Sequence, residues 1–265
     1  MMDADALHAL LTVLAGVVTG VLSASLGIGG AMVSTPAIRL LGVSAAFAVA
    51  TTLPAILPSA VSGTLRYTRE RLVRWDVVAW TAPPGVVAAV AGSQLSQDVP
   101  GEGHVLMLAT AGLLGFSAWR MARDDDGPRE EGAGEGEAPP LRRRLTAGIG
   151  TAAGMMSGLL GVGGGVVMVP AFGELAGLPL KQAVATSLAC VGIITVPATA
   201  AHSVLGNIDW PTAGWLSLGV VPGARVGAAL AVRLSDRHLR TMVAGFLGAV
   251  AVVYAAGEVV GLVRG

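Results

Sequence analysis

Long apolar runs separated by short polar stretches repeat along the whole chain. In the first half the runs are Leu7–Ala24, Ala45–Leu65, Val77–Leu95 and Val105–Met121. Each approaches the roughly 20 residues that a helix needs to cross a hydrocarbon core about 30 Å thick. Between the first two lies a shorter run, Ala31–Leu41, only about half that length. The second half follows the same order: a run over Leu145–Leu160, a short segment closing near Gly177, then longer runs again. The pattern predicts an all-α polytopic membrane protein with about 8–10 membrane segments, the short broken helices included.

The two halves are copies. LGIGGAMVSTP, Leu26 to Pro36, lies over LGVGGGVVMVP, Leu160 to Pro170. Val49-Ala50-Thr51-Thr52-Leu53 lies over Val184-Ala185-Thr186-Ser187-Leu188, and Trp75 and Trp80 lie over Trp210 and Trp215. Ala82-Pro83-Pro84-Gly85 then matches Val220-Val221-Pro222-Gly223 after a short insertion. We expect a first membrane repeat over residues 1–121, a linker over 122–144 and a second repeat over 145–265. The linker, ARDDDGPREEGAGEGEAPPLRRR, is charged, rich in Gly and Pro and poor in aliphatic residues, which predicts disorder.

Three glycines in four positions cannot hold a regular helix, because each costs about 1 kcal/mol against Ala. Gly27, Gly29 and Gly30, like Gly161, Gly163 and Gly164, therefore mark a break after which a short helix starts with unpartnered amides. A dinucleotide fingerprint would need glycine where Val166 stands, and a P-loop would need a following Gly-Lys-Ser/Thr. Neither is present, and neither copy follows a strand pattern.

The twinned glycine turn, each copy leading into a short segment and then Val-Ala-Thr-Thr/Ser-Leu, resembles the sulfite exporter TauE/SafE family of membrane transporters (the 4-toluene sulfonate uptake permease family). The likeness covers nearly the whole chain except the central linker. It implies a secondary transporter of a small sulfur-containing anion: sulfite, thiosulfate or an organosulfonate. It also implies a basic residue near Pro222-Gly223, where Arg225 stands.

Composition agrees with a membrane protein. Of 265 residues 53% are hydrophobic and 13% charged, against a usual quarter charged. Net charge is zero, so no bulk attraction to nucleic acid is expected, and the single Cys190 excludes an internal disulfide or a cysteine metal cluster. The N-terminus, MMDADALHALL, carries acids where a secretory signal needs positive charge, so the first run is read as retained. The partners expected are the lipid bilayer of a prokaryotic cytoplasmic membrane and the anion. A homo-oligomer is allowed and not required. No cofactor and no metal are expected.

Loop charge orients the halves. RYTRERLVRWD, Arg66 to Asp76, carries four arginines, and the loop after the next run, SQDVPGEG, is acidic. In the second half the first of these loops is GNID and the second is RLSDRHLR, with Arg233, Arg237 and Arg240. Basic loops stay cytoplasmic, so the flipped sign predicts inverted repeats, with both termini outside and the linker inside.

Polar groups within such runs are costly unless satisfied, which makes them candidates. Gly29, Gly30, Gly163, Gly164 and Gly165 leave backbone donors free, and the positive end of a short helix there favours an anion. Thr51, Thr52, Thr186 and Ser187 offer hydroxyl donors with no buried cation. They can equally bond their own helix carbonyls, just as the glycines can simply let helices cross closely. We expect these residues to line one cavity near the midplane, with Arg225 on the cytoplasmic path or snorkelling to the surface. An intramembrane enzyme is the competing class. Ser62-Gly63 and Ser157-Gly158 lack the preceding glycine of a nucleophile elbow, and Asp76 and Asp209 stand at run edges, so no catalytic residue is assigned. A non-transporting scaffold would have no need of duplicated breaks.

Overall fold

Each apolar run that falls within the described residues is a helix. The computed structural model describes residues 4–43, 45–95, 112, 115–116, 118–119, 142–160, 163–204, 206 and 208–264, and their regular structure is entirely α-helical. The order is α1 (Ala4–Leu26), α2 (Ala31–Leu40), α3 (Ala45–Arg69), α4 (Trp75–Leu95), α5 (Arg143–Leu160), α6 (Gly165–Glu174), α7 (Leu180–Val204), α8 (Trp210–Arg233) and α9 (Asp236–Arg264). Most of the run expected over Val105–Met121, and the linker up to residue 141, lie outside the described residues. By length and composition, Ala6–Leu26, Phe47–Arg69, α7 and α8 are each able to cross a membrane.

The ends follow local chemistry. Gly29 and Gly30 at φ 85° and 84°, and Gly163 and Gly164 at 87° and 64°, take left-handed conformations that L side chains avoid, which separates α1 from α2 and α5 from α6. α3 runs beyond the expected Leu65 to Arg69, although it contains Pro54 and Pro58. An Arg66–Glu70 ion pair of 2.8 Å, one helical turn apart, supports that extra turn outside the apolar stretch.

Helix pairing joins the halves. α1 packs along α8 and α4 along α5; α3 packs on α8 and α7 on α4; α3 and α7 cross each other. With α1 equivalent to α5, α2 to α6, α3 to α7 and α4 to α8, exchanging the halves leaves this scheme unchanged. The two closest seams are lined by glycines four apart. Gly16 and Gly20 meet the backbone of Leu216 and Val220, Gly219, Gly223 and Gly227 meet that of Val13, Val17 and Val21, and Gly150, Gly154 and Gly158 meet that of Thr81, Gly85 and Ala89. Lipid supplies no hydrophobic drive between helices, so close backbone approach through small residues must hold them together.

Contacts fix the helix senses. Gly16 sits against Leu216 and Gly20 against Val220, so α1 and α8 are parallel; Gly150 on Thr81 and Gly158 on Ala89 make α4 and α5 parallel. Gly63 meets Leu188 and Gly192 meets Ala60, so the equivalents α3 and α7 are antiparallel. Thr51 bonds Asp209 and Ser62 bonds Val221, which aligns α3 with α8. Arg74 bonds Thr186 and Gly85 meets Ile194, which aligns α4 with α7. The basic ends of α3, α8 and α5 therefore gather at one end of the bundle. Gly115 against Ala251 and Gly248 against Ala118 place the helical residues near 115–118 antiparallel to α9.

The outer surface is apolar, with Leu10, Leu14, Val18, Val61, Val87, Leu218 and Val226 exposed. Trp75 and Trp80 open α4 and Trp210 and Trp215 open α8, all four exposed, as interfacial anchors at the two ends should be. The Arg143 guanidinium stacks 4.9 Å from the Trp80 ring centre.

Candidate functional site at the glycine turns

Two breaks that are far apart in sequence touch at the centre, level with Ile56 of α3 and Val191 of α7. A Cβ on Gly163 would lie 3.6 Å from the Ile28 carbonyl oxygen and 4.0 Å from Ile56, and one on Gly165 would lie 2.5 Å from the Gly27 oxygen. A Cβ on Gly29 would be 3.8 Å from the Gly163 oxygen and 2.5 Å from Val191 Cγ1. Gly27 to Gly30 and Gly163 to Gly165 are all buried.

Ser187 ties the turns together. Its hydroxyl donates to the Gly27 carbonyl at 2.8 Å and lies 3.4 Å from that of Gly165. Its equivalent, Thr52, donates instead to Val49 at 2.9 Å and lies 3.4 Å from the Thr35 hydroxyl, so it stays within the first half. Gly30 and Gly164 face back towards their own first helices, Gly30 onto Thr19 and Ser23 and Gly164 onto Ala153.

Thr51 and Thr186 do something else. The Asp209 amide donates to the Thr51 hydroxyl at 3.0 Å, and the Arg74 amide donates to that of Thr186 at 3.1 Å. Asp209 and Arg74 are equivalent positions, each just before a fourth helix, so one bond is made twice. Each pins α3 or α7 to the start of a helix from the other half, at opposite ends of the bundle. The glycines and Ser187 come together; Thr51 and Thr186 do not join them in one cavity. Arg225 lies on the exposed face of α8 beside Val226. Cys190 is fully buried among core apolar residues.

The residues at the junction carry no charge. α2 is capped by Gly30 and α6 by Gly164, with no side-chain cap on either; the first amide of α6, that of Gly165, donates back to the Gly163 carbonyl at 2.7 Å, whereas α2 starts with the orphan amides of Ala31 and Met32. Charge sits at the ends. Arg74 chelates Asp76 at 2.9 and 2.6 Å, and this hydrogen-bonded carboxylate raises the Arg74 pKa. At the opposite end a cavity of about 410 Å³ is lined by His8, Leu41, Gly42, Val43, Phe47, Asp209 and Thr212. The Asp209 carboxylate there caps α8 by accepting from the Thr212 amide and hydroxyl.

Reasoning from the sequence passed over Thr19, Ser23 and Ser59, which crowd the first turn. A position-by-position comparison of the two copies would have singled out Thr19 and Ser59, because Ala153 and Ile194 replace them in the second, but not Ser23, which Ser157 matches.

Comparison with known proteins follows the same outline. The family described as sulfite exporter TauE/SafE matches residues 12–254. The chain is similar to the probable membrane transporter protein YjnA of Bacillus subtilis, 25% identical over 249 residues that cover 89% of this chain and 95% of that one. It is also similar to a probable membrane transporter protein of Xylella fastidiosa, 26% identical across 92% of this chain and 94% of that one. A third relative is a probable membrane transporter protein of Methanocaldococcus jannaschii, 23% identical across 90% and 92%. No solved structure gives a significant match.

Proposed function

The chain belongs to the sulfite exporter TauE/SafE family of membrane transporters, and on that premise we propose that it is a secondary transporter of a small sulfur-containing anion. Sulfite, thiosulfate or an organosulfonate crosses a prokaryotic cytoplasmic membrane through the junction of the glycine turns. The observation that carries this reading is the meeting of two uncapped helix starts at a buried, uncharged centre. Such ends present N–H donors and positive partial charge to an anion without a buried cation. Binding requires the turns to part, because they touch in this conformation.

The repeats are inverted across the membrane, a reading supported by the antiparallel crossing of α3 and α7. The end that gathers the arginines faces the cytoplasm. α1, α3 and α8 move as one unit and α4, α5 and α7 as the other, each drawn from both halves. Rocking about the α3–α7 crossing opens the junction alternately to either side. This arrangement sets the topology to expect. In a Cys190→Ala background, Ser203→Cys labels with an impermeant maleimide in intact cells, whereas Thr68→Cys and Ser235→Cys label only after permeabilisation. Labelling of all three from one side would remove the inverted arrangement.

Flux tests the function. Purified protein in liposomes should take up radiolabelled sulfite, thiosulfate or an organosulfonate faster than protein-free liposomes. The transported anion should also raise the unfolding temperature as its concentration passes its Kd. Absence of both effects for all three anions would end this reading.

A further inference from the structure

The two turns are related by duplication, yet their surroundings are not. Around Gly30 the chain places hydroxyls: Thr19 Cγ2 lies 3.0 Å and Ser23 Oγ 3.3 Å from the position a Cβ would take, and the Ser59 hydroxyl donates to Ser23 at 3.1 Å. Ser34, one turn into α2, donates to the Gly30 carbonyl. The equivalents around Gly164 are Ala153, Ser157, Ile194 and Met168, so only one hydroxyl remains. Thr19, Ser23 and Ser59 are 3%, 0% and 1% exposed.

Thr19 is the informative residue. Its Cγ2 methyl packs on the Gly30 cap of α2, and the buried hydroxyl on the same Cβ has no hydrogen-bond partner. An unpartnered buried hydroxyl costs about 1–3 kcal/mol, and most threonines in membrane helices avoid this by bonding the carbonyl one turn back. Thr12, Thr195 and Thr199 do so here; Thr19 does not. The bonds that close the turn onto the Gly30 carbonyl use the amides of Val33 and Ser34, so those of Ala31 and Met32 are the orphan donors of this helix start, and the unpartnered hydroxyl belongs to the side chain packed on its cap.

We propose that the first turn alone is the anion's seat: an oxyanion or sulfonate head binds the α2 N-terminus with Thr19 and the Ser23–Ser59 pair as side-chain donors. The second turn is an apolar counter-face that closes over it. This rests on the transporter reading above and deepens it, giving one anion per chain and a site that is asymmetric within a symmetric frame. Neutral donors ring the head from the α1, α2 and α3 sides, and the α6 side supplies shape.

The test is equilibrium binding of sulfite, thiosulfate and methanesulfonate to the purified full chain, with unfolding temperature measured on every variant. Thr19→Val removes the hydroxyl at nearly constant volume, and Ser59→Ala removes the second donor. Each should weaken binding about ten- to a hundred-fold, the loss expected for one hydrogen bond to a charged partner. Thr19→Ser should retain wild-type affinity. Ser157→Ala, at the second turn, should change affinity less than two-fold. So should Thr81→Val, which removes an equally buried and equally unpartnered hydroxyl on the part of α4 that packs against Gly150. Unchanged binding in both Thr19→Val and Ser59→Ala, or an equal loss in Ser157→Ala, would overturn the asymmetric seat and leave a transporter that binds elsewhere at the junction. If none of the three anions binds the folded wild-type protein, the transporter reading fails, and the seat with it.

Discussion

Gly154→Val should yield no stably folded protein in detergent, while Gly148→Val, on the same helix, should purify and melt like the wild type. A Cβ on Gly154 would fall inside van der Waals contact of the Gly85 carbonyl oxygen, with the Gly85 carbonyl carbon and Cα at 2.7 and 2.8 Å. Every one of those atoms is backbone, so no rotamer change can relieve the overlap. Overpacking a core usually costs about 1–3 kcal/mol because side chains shift. Here α4 and α5 must separate along their whole seam, and the cost should reach at least the upper end of that range. Gly148 is exposed with nothing within 4 Å, which isolates the effect of packing from that of helix propensity. Fluorescence-detected size exclusion and thermal unfolding read the difference. Two equally stable variants would show that the glycine seams do not hold this bundle together.

Gly29→Ala should abolish the proposed transport, and Gly29→Ala with Val191→Ala should recover part of it. Two separate costs meet at Gly29. Its φ of 85° is left-handed, worth roughly 1–2 kcal/mol against any L residue. Its Cβ would also lie 2.5 Å from Val191 Cγ1. Trimming Val191 removes the second cost and leaves the first, so flux in the double variant should lie between wild type and the single variant. Gly163→Ala supplies the comparison: its φ is 87°, but its nearest contacts, 3.6 to 4.0 Å, are ordinary, so it bears the strain alone. Equal losses in Gly29→Ala and Gly163→Ala, with no gain from Val191→Ala, would mean that crowding at the junction is irrelevant.

Much of the scaffold is legible in the amino-acid order because membrane helices obey local rules. α1 and α5 end before the left-handed glycines as expected, and α2 spans Ala31 to Leu40, one residue short of the predicted run. Apolar length misjudged the end of α3, where backbone bonding and the Arg66–Glu70 pair extend the helix past its apolar stretch. Partners of the hydroxyls were not legible. Thr52 and Ser187 hold the same position of the repeated motif, yet one bonds Val49 of its own helix and approaches the Thr35 hydroxyl, and the other meets carbonyls of both turns. Those choices depend on how helices from opposite halves cross, which no window along one helix contains. Thr19 escaped for a related reason: one threonine in an apolar run is unremarkable until its missing partner and the bare helix start beside it are seen together.

The pairing of α1 with α8 and of α4 with α5 also bears on how the protein is made. Neither half holds its own tightest seam, so the ribosome releases α1 long before its partner exists. At 5–20 residues per second, the gap of about 200 residues lasts roughly 10–40 s. During that time the glycine face of α1 rests against lipid or an insertion factor. A chain cut within the linker would consequently give two fragments that are each unstable alone, but able to assemble when expressed together in the same membrane.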